Sequence, residues 1–222
     1  MKYQPLKLNF KEFPKKEIKK RSEEFYNMIK TRRSVRNFKV SKIDDEIIKN
    51  AILAAGSAPS GANLQPWHFV IIKDKNIKKK IKKAAEKEEF NFYSYKAPKE
   101  WLEALKPLGT NNEKEFLTKA PVLIAIFEQK FTEDISNSKI KNYYVKESVG
   151  IATGMLIASL HYSGLSMLTH TPSPMKFLNK ILKRPYNEKP FVLLVVGLPT
   201  KNCNVPNFAF QKKSIEKIST WI

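Results

Sequence analysis

Three of the five arginines in the chain lie within five positions, at Arg32, Arg33 and Arg36. Ser34 stands between them. In an extended segment neighbouring side chains alternate, so Arg32, Ser34 and Arg36 would face the same way. Two guanidinium groups and a hydroxyl on one side make a receptor for a phosphate dianion. From these residues alone, an equally good interpretation is a cluster of cations that offsets the negative end of a helix dipole.

A second segment, 58–67, has the sequence APSGANLQPW and lies between an expected helix end and an expected buried strand. Pro59 stiffens such a loop. Gly61 has no Cβ, so its backbone could approach a flat ligand closely. When the segment is taken alone, an ordinary turn is the better interpretation.

Several kinds of site are not supported by the sequence. There is no GxGxxG or GxxxxGK motif for a dinucleotide or a P-loop, and no GxSxG motif for a serine hydrolase. The three histidines, His68, His161 and His170, have no metal-ligand spacing. The single cysteine, Cys203, excludes an internal disulfide and a cysteine-based zinc site.

The formal charge of +20 comes from 41 basic residues, of which only five are arginines. Proteins that read nucleic acids usually concentrate arginine, so we expect a solvated, lysine-rich surface instead, for example at Lys78, Lys79 and Lys80. Such a surface attracts small anions. The basic start of the chain has no apolar segment behind it, and no apolar run is long enough for a membrane span. We therefore expect a soluble cytoplasmic protein that binds neither nucleic acid nor a membrane.

The hydrophobic pattern predicts one domain, 1–222, that alternates helices with interior strands. Its expected fold class is α+β, an α/β sandwich with helices covering the sheet. Gly150 and Gly154 share one helix face, which could pack internally or against the same helix of a partner; we favour the partner. The C-terminal arm, about 205–222, shows no core pattern until Ile215, Ile218, Trp221 and Ile222, and this apolar end suggests packing on a second subunit. The helices are expected at about 15–30, 44–56, 76–95 and 143–163, with shorter pieces around Trp101 and Phe116, and the strands at 67–72, 121–127, 165–168 and 191–196.

These motifs together resemble the signatures of the FMN-dependent nitroreductase family. The arginine segment is followed by Pro59-Ser60-Gly61-Ala62, by Gln65-Pro66-Trp67 and, after a buried strand, by Thr169-His170-Thr171-Pro172. The likeness continues, in order, through Arg184-Pro185, Val196-Gly197 and Val205-Pro206. It covers nearly the whole chain from about residue 20. It implies a central, mostly antiparallel sheet covered by helices, and an intertwined homodimer with FMN at the subunit interface.

The resemblance assigns roles to individual residues. Arg33, with its neighbours in the arginine segment, would hold the FMN phosphate and ring edge, and the Ala62 backbone would meet a substrate phenolate. The Thr171 hydroxyl would lie near N5 of the flavin, while His170 would point away from it. The family places an arginine against the phosphate near its C-terminus; only lysine is available here, and we assign Lys212. The implied cofactor-binding set is Arg32, Arg33, Ser34, Val35, Arg36, Pro59, Ser60, Gly61, Thr169, His170, Thr171 and Lys212, with Ser60 and Gly61 at the partner's flavin.

A middle segment, about 86–117, is similar to the active-site lid of the iodotyrosine deiodinase branch. Glu89 and Tyr93 are four residues apart, so they are neighbours on one helix face, whereas Lys114 comes from a separate segment. The resemblance implies that Glu89 binds the ammonium of an amino-acid zwitterion and that Lys114 and Tyr93 bind its carboxylate. On spacing alone, a surface salt bridge worth about 0–1 kcal/mol is the better interpretation.

The resemblance implies FMN-dependent reductive dehalogenation of halotyrosines, with Thr171 as the catalytic residue. The alternative on the same fold is a general NAD(P)H-dependent nitroreductase or quinone reductase, which needs no zwitterion clamp. A flavin-destructive protein and a basic nucleic-acid-binding module are further alternatives. NAD(P)H or a flavin- or ferredoxin-type reductant is the expected electron source, and no metal is expected.

Overall fold

The computed structural model describes residues 3–133 and 138–222. The chain divides into two compact units, Met1–Arg32 and Arg33–Ile222. The first unit contains helix α1 (Lys15–Ile29), close to the predicted 15–30. Within it the guanidinium of Arg21 lies 4.0 Å from the centroid of the Phe13 ring. Residues 1–2 of the basic start lie outside the described residues.

The second unit is built on a four-stranded antiparallel sheet in the order β1-β2-β6-β5. Its strands are β1 (Trp67–Ile72), β2 (Val122–Gln129), β5 (Ser166–His170) and β6 (Glu188–Gly197). The two central strands are almost fully buried, because both of their faces carry apolar side chains. All four strands lie where the apolar runs predicted them.

Helices cover both faces of this sheet, so the predicted α+β sandwich is confirmed. One face packs against α3 (Lys75–Asn91), α5 (Phe116–Lys119) and α7 (Phe177–Ile181). The other face packs against α2 (Asp45–Gly56) and α6 (Val145–Tyr162). Alternation along β2 explains the two cores: Leu123, Ala125 and Phe127 enter the first, whereas Ile124 and Ile126 enter the second.

Helix α2 begins where the acidic pair predicted it. The Asp44 side chain accepts a hydrogen bond of 2.9 Å from the backbone N–H of Glu46, which satisfies one of the free donors of the first turn. Helix α3 is capped in the same way by Asp74. It ends at Asn91, earlier than the predicted 95, because the chain continues there as a π-helical turn, Phe92–Lys96.

Three further elements were not predicted from the sequence. A short hairpin joins β3 (Phe131–Glu133) to β4 (Lys139–Lys141), and helix α7 follows β5. The predicted piece around Trp101 is helix α4 (Lys99–Leu105).

The surface position expected for Lys78 is wrong. Its side chain is buried, and its ammonium donates a 2.6 Å hydrogen bond to the carbonyl of Ala120.

Helix α6 is buried on one face only. Val149, Ala152 and Leu156 are packed against the sheet, but Ile151 remains 46% exposed. A Cβ built on Gly150 or on Gly154 would meet nothing within 4 Å among the described residues. Internal packing therefore does not explain the two glycines, and an apolar helix face remains uncovered.

Candidate functional site

A cavity of about 1260 Å³ opens beside the end of strand β5. Thr169, His170 and Thr171 line it on the sheet side, together with Arg36. The lid segment lines it as well, through Glu89, Tyr93 and Lys114. The structure thus brings into one space seven residues that the sequence placed in two motifs and a lid.

The arginine segment reaches this cavity because it runs beside β5 at the sheet edge. The backbone N–H of Val35 donates to the carbonyl of Met167 at 3.1 Å, and Ser34 forms an isolated parallel bridge with Met167. The alternation expected of an extended segment follows. The Val35 side chain is buried in the core, whereas Arg36 lines the cavity. A contact between Val35 and a cofactor could therefore come only from its backbone.

Arg33 is held by the C-terminal arm of its own chain. Its guanidinium lies 4.5 Å from the centroid of the Phe210 ring, a cation–π geometry. The arm therefore passes the arginine segment two residues before Lys212, which is exposed. Arg32 belongs to the N-terminal unit, and its role stays a prediction.

The end of β5 presents two hydroxyls on one side. Thr169 and Thr171 are exposed, whereas His170 between them is buried, as strand alternation requires. The His170 ring packs edge-to-face on Phe116, with 5.3 Å between ring centroids. Burial, helped by the charges of Lys114 and Arg36, lowers the pKa of His170 to about 3. The imidazole is therefore neutral, and its buried Nε2 has no hydrogen-bond partner among the described residues.

The three proposed zwitterion ligands of the lid contact one another. The Lys114 ammonium is 3.2 Å from a Glu89 carboxylate oxygen and 5.8 Å from the centroid of the Tyr93 ring. Only 3% of the Lys114 side chain and 14% of the Glu89 side chain are exposed. The surface salt bridge that spacing alone favoured is therefore wrong: this pair is buried. Lys114 also donates to the Thr110 hydroxyl at 3.4 Å and to the Asn111 carbonyl.

Burial also controls the protonation of this group. It lowers the pKa of Lys114, and the nearby Glu89 carboxylate only partly opposes the shift. Burial likewise raises the pKa of Tyr93, so the phenol keeps its proton. The pKa of Arg36 is lowered by burial as well. A cavity that holds several desolvated cations favours an anionic ligand.

Lys114 is fixed by a relay of charges from helix α3. Its backbone N–H donates to the Glu86 carboxylate at 2.8 Å. Lys82 lies 3.6 Å from the same carboxylate and also pairs with Glu115. These contacts join the helix to the 110–116 segment, which explains how Lys114 reaches residues that are more than twenty positions away in the sequence.

The loop that carries Pro59, Ser60, Gly61 and Ala62 is not part of the lining of this cavity in the described chain. It packs instead against the start of α6. A Cβ on Gly61 would come within 2.9 Å of the Tyr143 carbonyl oxygen, which gives the glycine a structural reason independent of any ligand.

Backbone strain is concentrated in the same loop. Ala62, Asn63 and Gln65 have positive φ angles of 50°, 56° and 50°, and Tyr144 opposite has 49°. The loop is held by the Ser60 hydroxyl, which accepts from the Gln65 backbone N–H at 3.0 Å. Strained backbone of this kind persists where the surrounding structure fixes it, and it is concentrated at functional sites.

The cavity also contains polar residues whose roles the sequence did not predict. Arg184 binds the buried Glu188 carboxylate in a bidentate pair at 2.7 and 2.8 Å, and Gln129 donates to it at 3.2 Å. Burial raises the pKa of Glu188, but these hydrogen bonds outweigh it and hold the pKa below its ordinary value. Glu128 pairs with Lys189 at 2.9 Å. The signal in the sequence that could have identified such a residue was a single carboxylate at the end of an apolar run, as at Glu128.

Two absences hold for the part of the chain that the structure describes. It contains no group of three or more histidine, cysteine, aspartate or glutamate side chains that could hold a metal ion. Among residues 3–133 and 138–222, no helix is long and apolar enough to cross a membrane.

Comparisons with known proteins agree with this geometry. Residues 29–198 match the nitroreductase family. An iodotyrosine deiodinase of Haliscomenobacter hydrossis is 48% identical over 203 residues, which are 91% of each chain. Human iodotyrosine deiodinase 1 is 42% identical over 209 residues, 93% of this chain and 71% of the human one.

A solved structure of an oxidised iodotyrosine deiodinase, bound to FMN and 3-iodo-L-tyrosine, has the same fold. It superimposes with a TM-score of 0.73 at 30% identity and covers 86% of this chain and 96% of its own. The chain belongs to the nitroreductase family, in the branch of the iodotyrosine deiodinases. The motif-based prediction of that branch is confirmed.

Proposed function

We propose that the chain catalyses the FMN-dependent reductive dehalogenation of halotyrosines. The observation that carries this proposal is the convergence of Glu89, Tyr93 and Lys114 on the cavity that Thr169 and Thr171 line. A general nitroreductase needs no paired carboxylate and ammonium above its cofactor. The relatives named above and the ligands of the related structure support the same function.

The residues present fit FMN. Arg36, which lines the cavity, would bind the phosphate, and Arg32, Arg33, Ser34 and Lys212 are further proposed ligands. The cavity, about 1260 Å³, exceeds the usual size of a small-molecule site, so it has room for a flavin and a stacked substrate.

The lid residues bind the amino-acid end of the substrate. The substrate ammonium replaces Lys114 at the Glu89 carboxylate, and the freed Lys114 ammonium binds the substrate carboxylate together with the Tyr93 hydroxyl. Both charged groups of the protein exchange one partner for another inside a dry cavity, so neither is left unpaired. The 3.2 Å contact between the Lys114 ammonium and the Glu89 carboxylate supports this exchange of partners.

The chain contributes orientation and exclusion of water to the reaction. Reduced FMN, when bound, supplies the two electrons that cleavage of the carbon–halogen bond requires. Thr171 would donate a hydrogen bond toward the flavin ring, and in a dimer the Ala62 backbone N–H would donate to the substrate phenolate. The lid, 86–117, closes over the substrate, which orients the ring and excludes water. The halide leaves as an anion, and a proton takes its place on the ring carbon.

The active form is a homodimer in this proposal. The uncovered α6 face supports it, as does the C-terminal arm, on which Trp221 is 87% exposed and Ile218 66% exposed. In a dimer, Pro59, Ser60 and Gly61 would reach the flavin of the partner, which fits their absence from the described lining of the cavity. The electron source is NAD(P)H or a flavin- or ferredoxin-type carrier. The cytoplasmic location stays a prediction.

The direct test is iodide release from the reduced protein. Purified protein loaded with FMN is photoreduced without oxygen and mixed with 3-iodotyrosine, and iodide is measured as the flavin reoxidises. We expect one iodide per flavin. Flavin reoxidation by nitroaromatics but not by iodotyrosine would favour the general nitroreductase, and protein that stays colourless with excess FMN would exclude both.

A further inference from the structure

The cavity has more positive charge than its proposed ligands need. Eight cationic side chains and three carboxylates line it. Each carboxylate is already paired, Glu89 with Lys114, Glu128 with Lys189 and Glu188 with Arg184. Arg36 is assigned to the FMN phosphate. Four lysines of the lining remain without an assigned role: Lys130, Lys146, Lys176 and Lys180.

These four lysines, the rim, all belong to the lining of the cavity. All four are exposed, unlike Lys114, which is 3% exposed. Lys176 and Lys180 are four residues apart, so they are neighbours at helix α7, and only Pro172–Met175 separates them from the Thr169–Thr171 strand end. A phosphate dianion carries a charge of about −2, so the rim remains positive when FMN is bound.

The rim consists of lysine alone, which indicates the kind of anion it fits. A dinucleotide phosphate is usually bound by arginine, whose planar fork pairs with two oxygens. Lysine is a hydrated point charge on a flexible stem, and exposed lysines around a site mainly steer and align a large anionic partner. The rest of the chain adds to the same field, since its formal charge is +20.

The lid also favours a large anionic partner over a dinucleotide. Trp101, Leu105 and Leu108 of the lid line the cavity together with the strand end, and the buried Lys114–Glu89 pair joins the two ends of the lid. Hydride transfer from a nicotinamide requires its ring to stack on the flavin, in the space that the substrate also needs. One-electron transfer requires only that the carrier come close to an edge of the flavin.

We infer that Lys130, Lys146, Lys176 and Lys180 dock an acidic one-electron carrier protein, of the ferredoxin or flavodoxin class, as the reductant. The inference rests on the proposed dehalogenase function. Two reduced carriers are each oxidised by one electron. These two electrons and one proton convert the carbon–halogen bond of the substrate into a carbon–hydrogen bond and a free halide.

The test follows reduction of the FMN-loaded protein by a purified, reduced [2Fe–2S] ferredoxin, recorded as flavin bleaching in a stopped-flow instrument. We expect the second-order rate constant to fall at least about tenfold between about 10 mM and about 300 mM salt, because salt screens the rim. We expect a similar loss in the double variant Lys176→Glu/Lys180→Glu. The control is Lys79→Glu/Lys83→Glu, which makes the same charge change at the same spacing on helix α3, with less than about a twofold effect.

Two further measurements separate this inference from the proposed function. Photoreduction with deazaflavin needs no docking, so iodide release by the photoreduced Lys176→Glu/Lys180→Glu variant should equal that of the original protein. Equal ferredoxin rates in both double variants would overturn the inference while leaving dehalogenation intact. NADPH reduction that is faster than ferredoxin reduction, and that the rim variant slows, would overturn it in favour of a dinucleotide donor.

Discussion

The floor of the cavity and its lid are held in different ways. The floor, Thr169–Thr171, ends a strand whose residues pair with the fully buried Leu193 and Leu194 of strand β6. The lid, 86–117, depends on edge-to-face aromatic contacts, such as Phe92 on Trp101 at 5.1 Å, and on the Lys114–Glu89 pair. The floor therefore belongs to the most stable part of the fold, whereas the lid can open at lower cost.

The difference separates two tasks. A cofactor that stays bound benefits from a sheet edge that does not move, and a substrate that enters and leaves benefits from a cover with its own weak contacts. The π-helical turn Phe92–Lys96 stands at the start of the lid, next to Tyr93, and such turns are frequent at functional sites. This separation predicts that changes in the floor and changes in the lid affect different measurements.

The largest expected effect is on the lid. Lys114→Met removes the ammonium that binds the substrate carboxylate and leaves Glu89 buried without a cation. We expect halotyrosine affinity to fall about 100-fold or more, because a charge-assisted hydrogen bond in a dry site is lost. FMN affinity should change less than about threefold. Titration of each ligand by flavin fluorescence measures both values.

The matched control for Lys114 is Lys82→Met. Lys82 also pairs with carboxylates, Glu86 and Glu115, at the same helix, but it does not line the described cavity. We expect a loss of halotyrosine affinity of less than about tenfold, since Lys82 supports Lys114 only through Glu86. A loss of FMN affinity as large as that of halotyrosine affinity in Lys114→Met would break the separation of floor and lid.

The next effect concerns the floor and its response to acid. The pKa of His170 is about 3 in the folded chain and about 6.5 when unfolded, so the unfolded state binds more protons between these values. Stability should therefore be complete above about pH 6.5 and fall as the pH drops. The loss between pH 6.5 and pH 5 is about 2 kcal/mol for this residue.

The variant His170→Thr should not lose this part of its free energy of unfolding as the pH falls, whatever its stability at pH 7. Urea unfolding of the FMN-free protein at several pH values measures the slope. Thr169→Val, at the same strand end, provides the control: it removes no titrating group and should keep the original slope. An unchanged slope in His170→Thr would mean that the strand end is open to water and no firmer than the lid.

The smallest expected effect concerns the part that the floor takes in the reaction, through Thr171. We expect Thr171→Ala to slow dehalogenation about tenfold and nitroaromatic reduction less than about threefold, because a hydrogen bond to the flavin ring favours one-electron steps over hydride transfer. Single-turnover reoxidation of the photoreduced protein by each substrate gives the two rates. Ser173→Ala, which also removes a hydroxyl from the lining, is the control. Equal losses with both substrates in Thr171→Ala would remove the assigned role.

Much of the floor could be predicted from the sequence because its signals are local. Strand β1 lies at the predicted 67–72, since a short apolar run between turn residues has few other solutions. The alternation of Thr169, His170 and Thr171 follows from the period of a strand. The lid was accessible only through resemblance to a family, because no local pattern brings Lys114 to Glu89.

The sequence by itself determined the four strands of the main sheet, most of the helices, the two-faced core and the family, since periodicity and motifs are properties of the chain order. Tertiary structure alone decided that Lys78 is buried, that Gly61 is required by the Tyr143 carbonyl, and that four lysines remain as a rim around the cavity. The physical reason is that burial and charge pairing depend on residues far apart along the chain. A lysine in a sequence has the same formula whether its ammonium ends in water, on a carbonyl oxygen or beside a carboxylate.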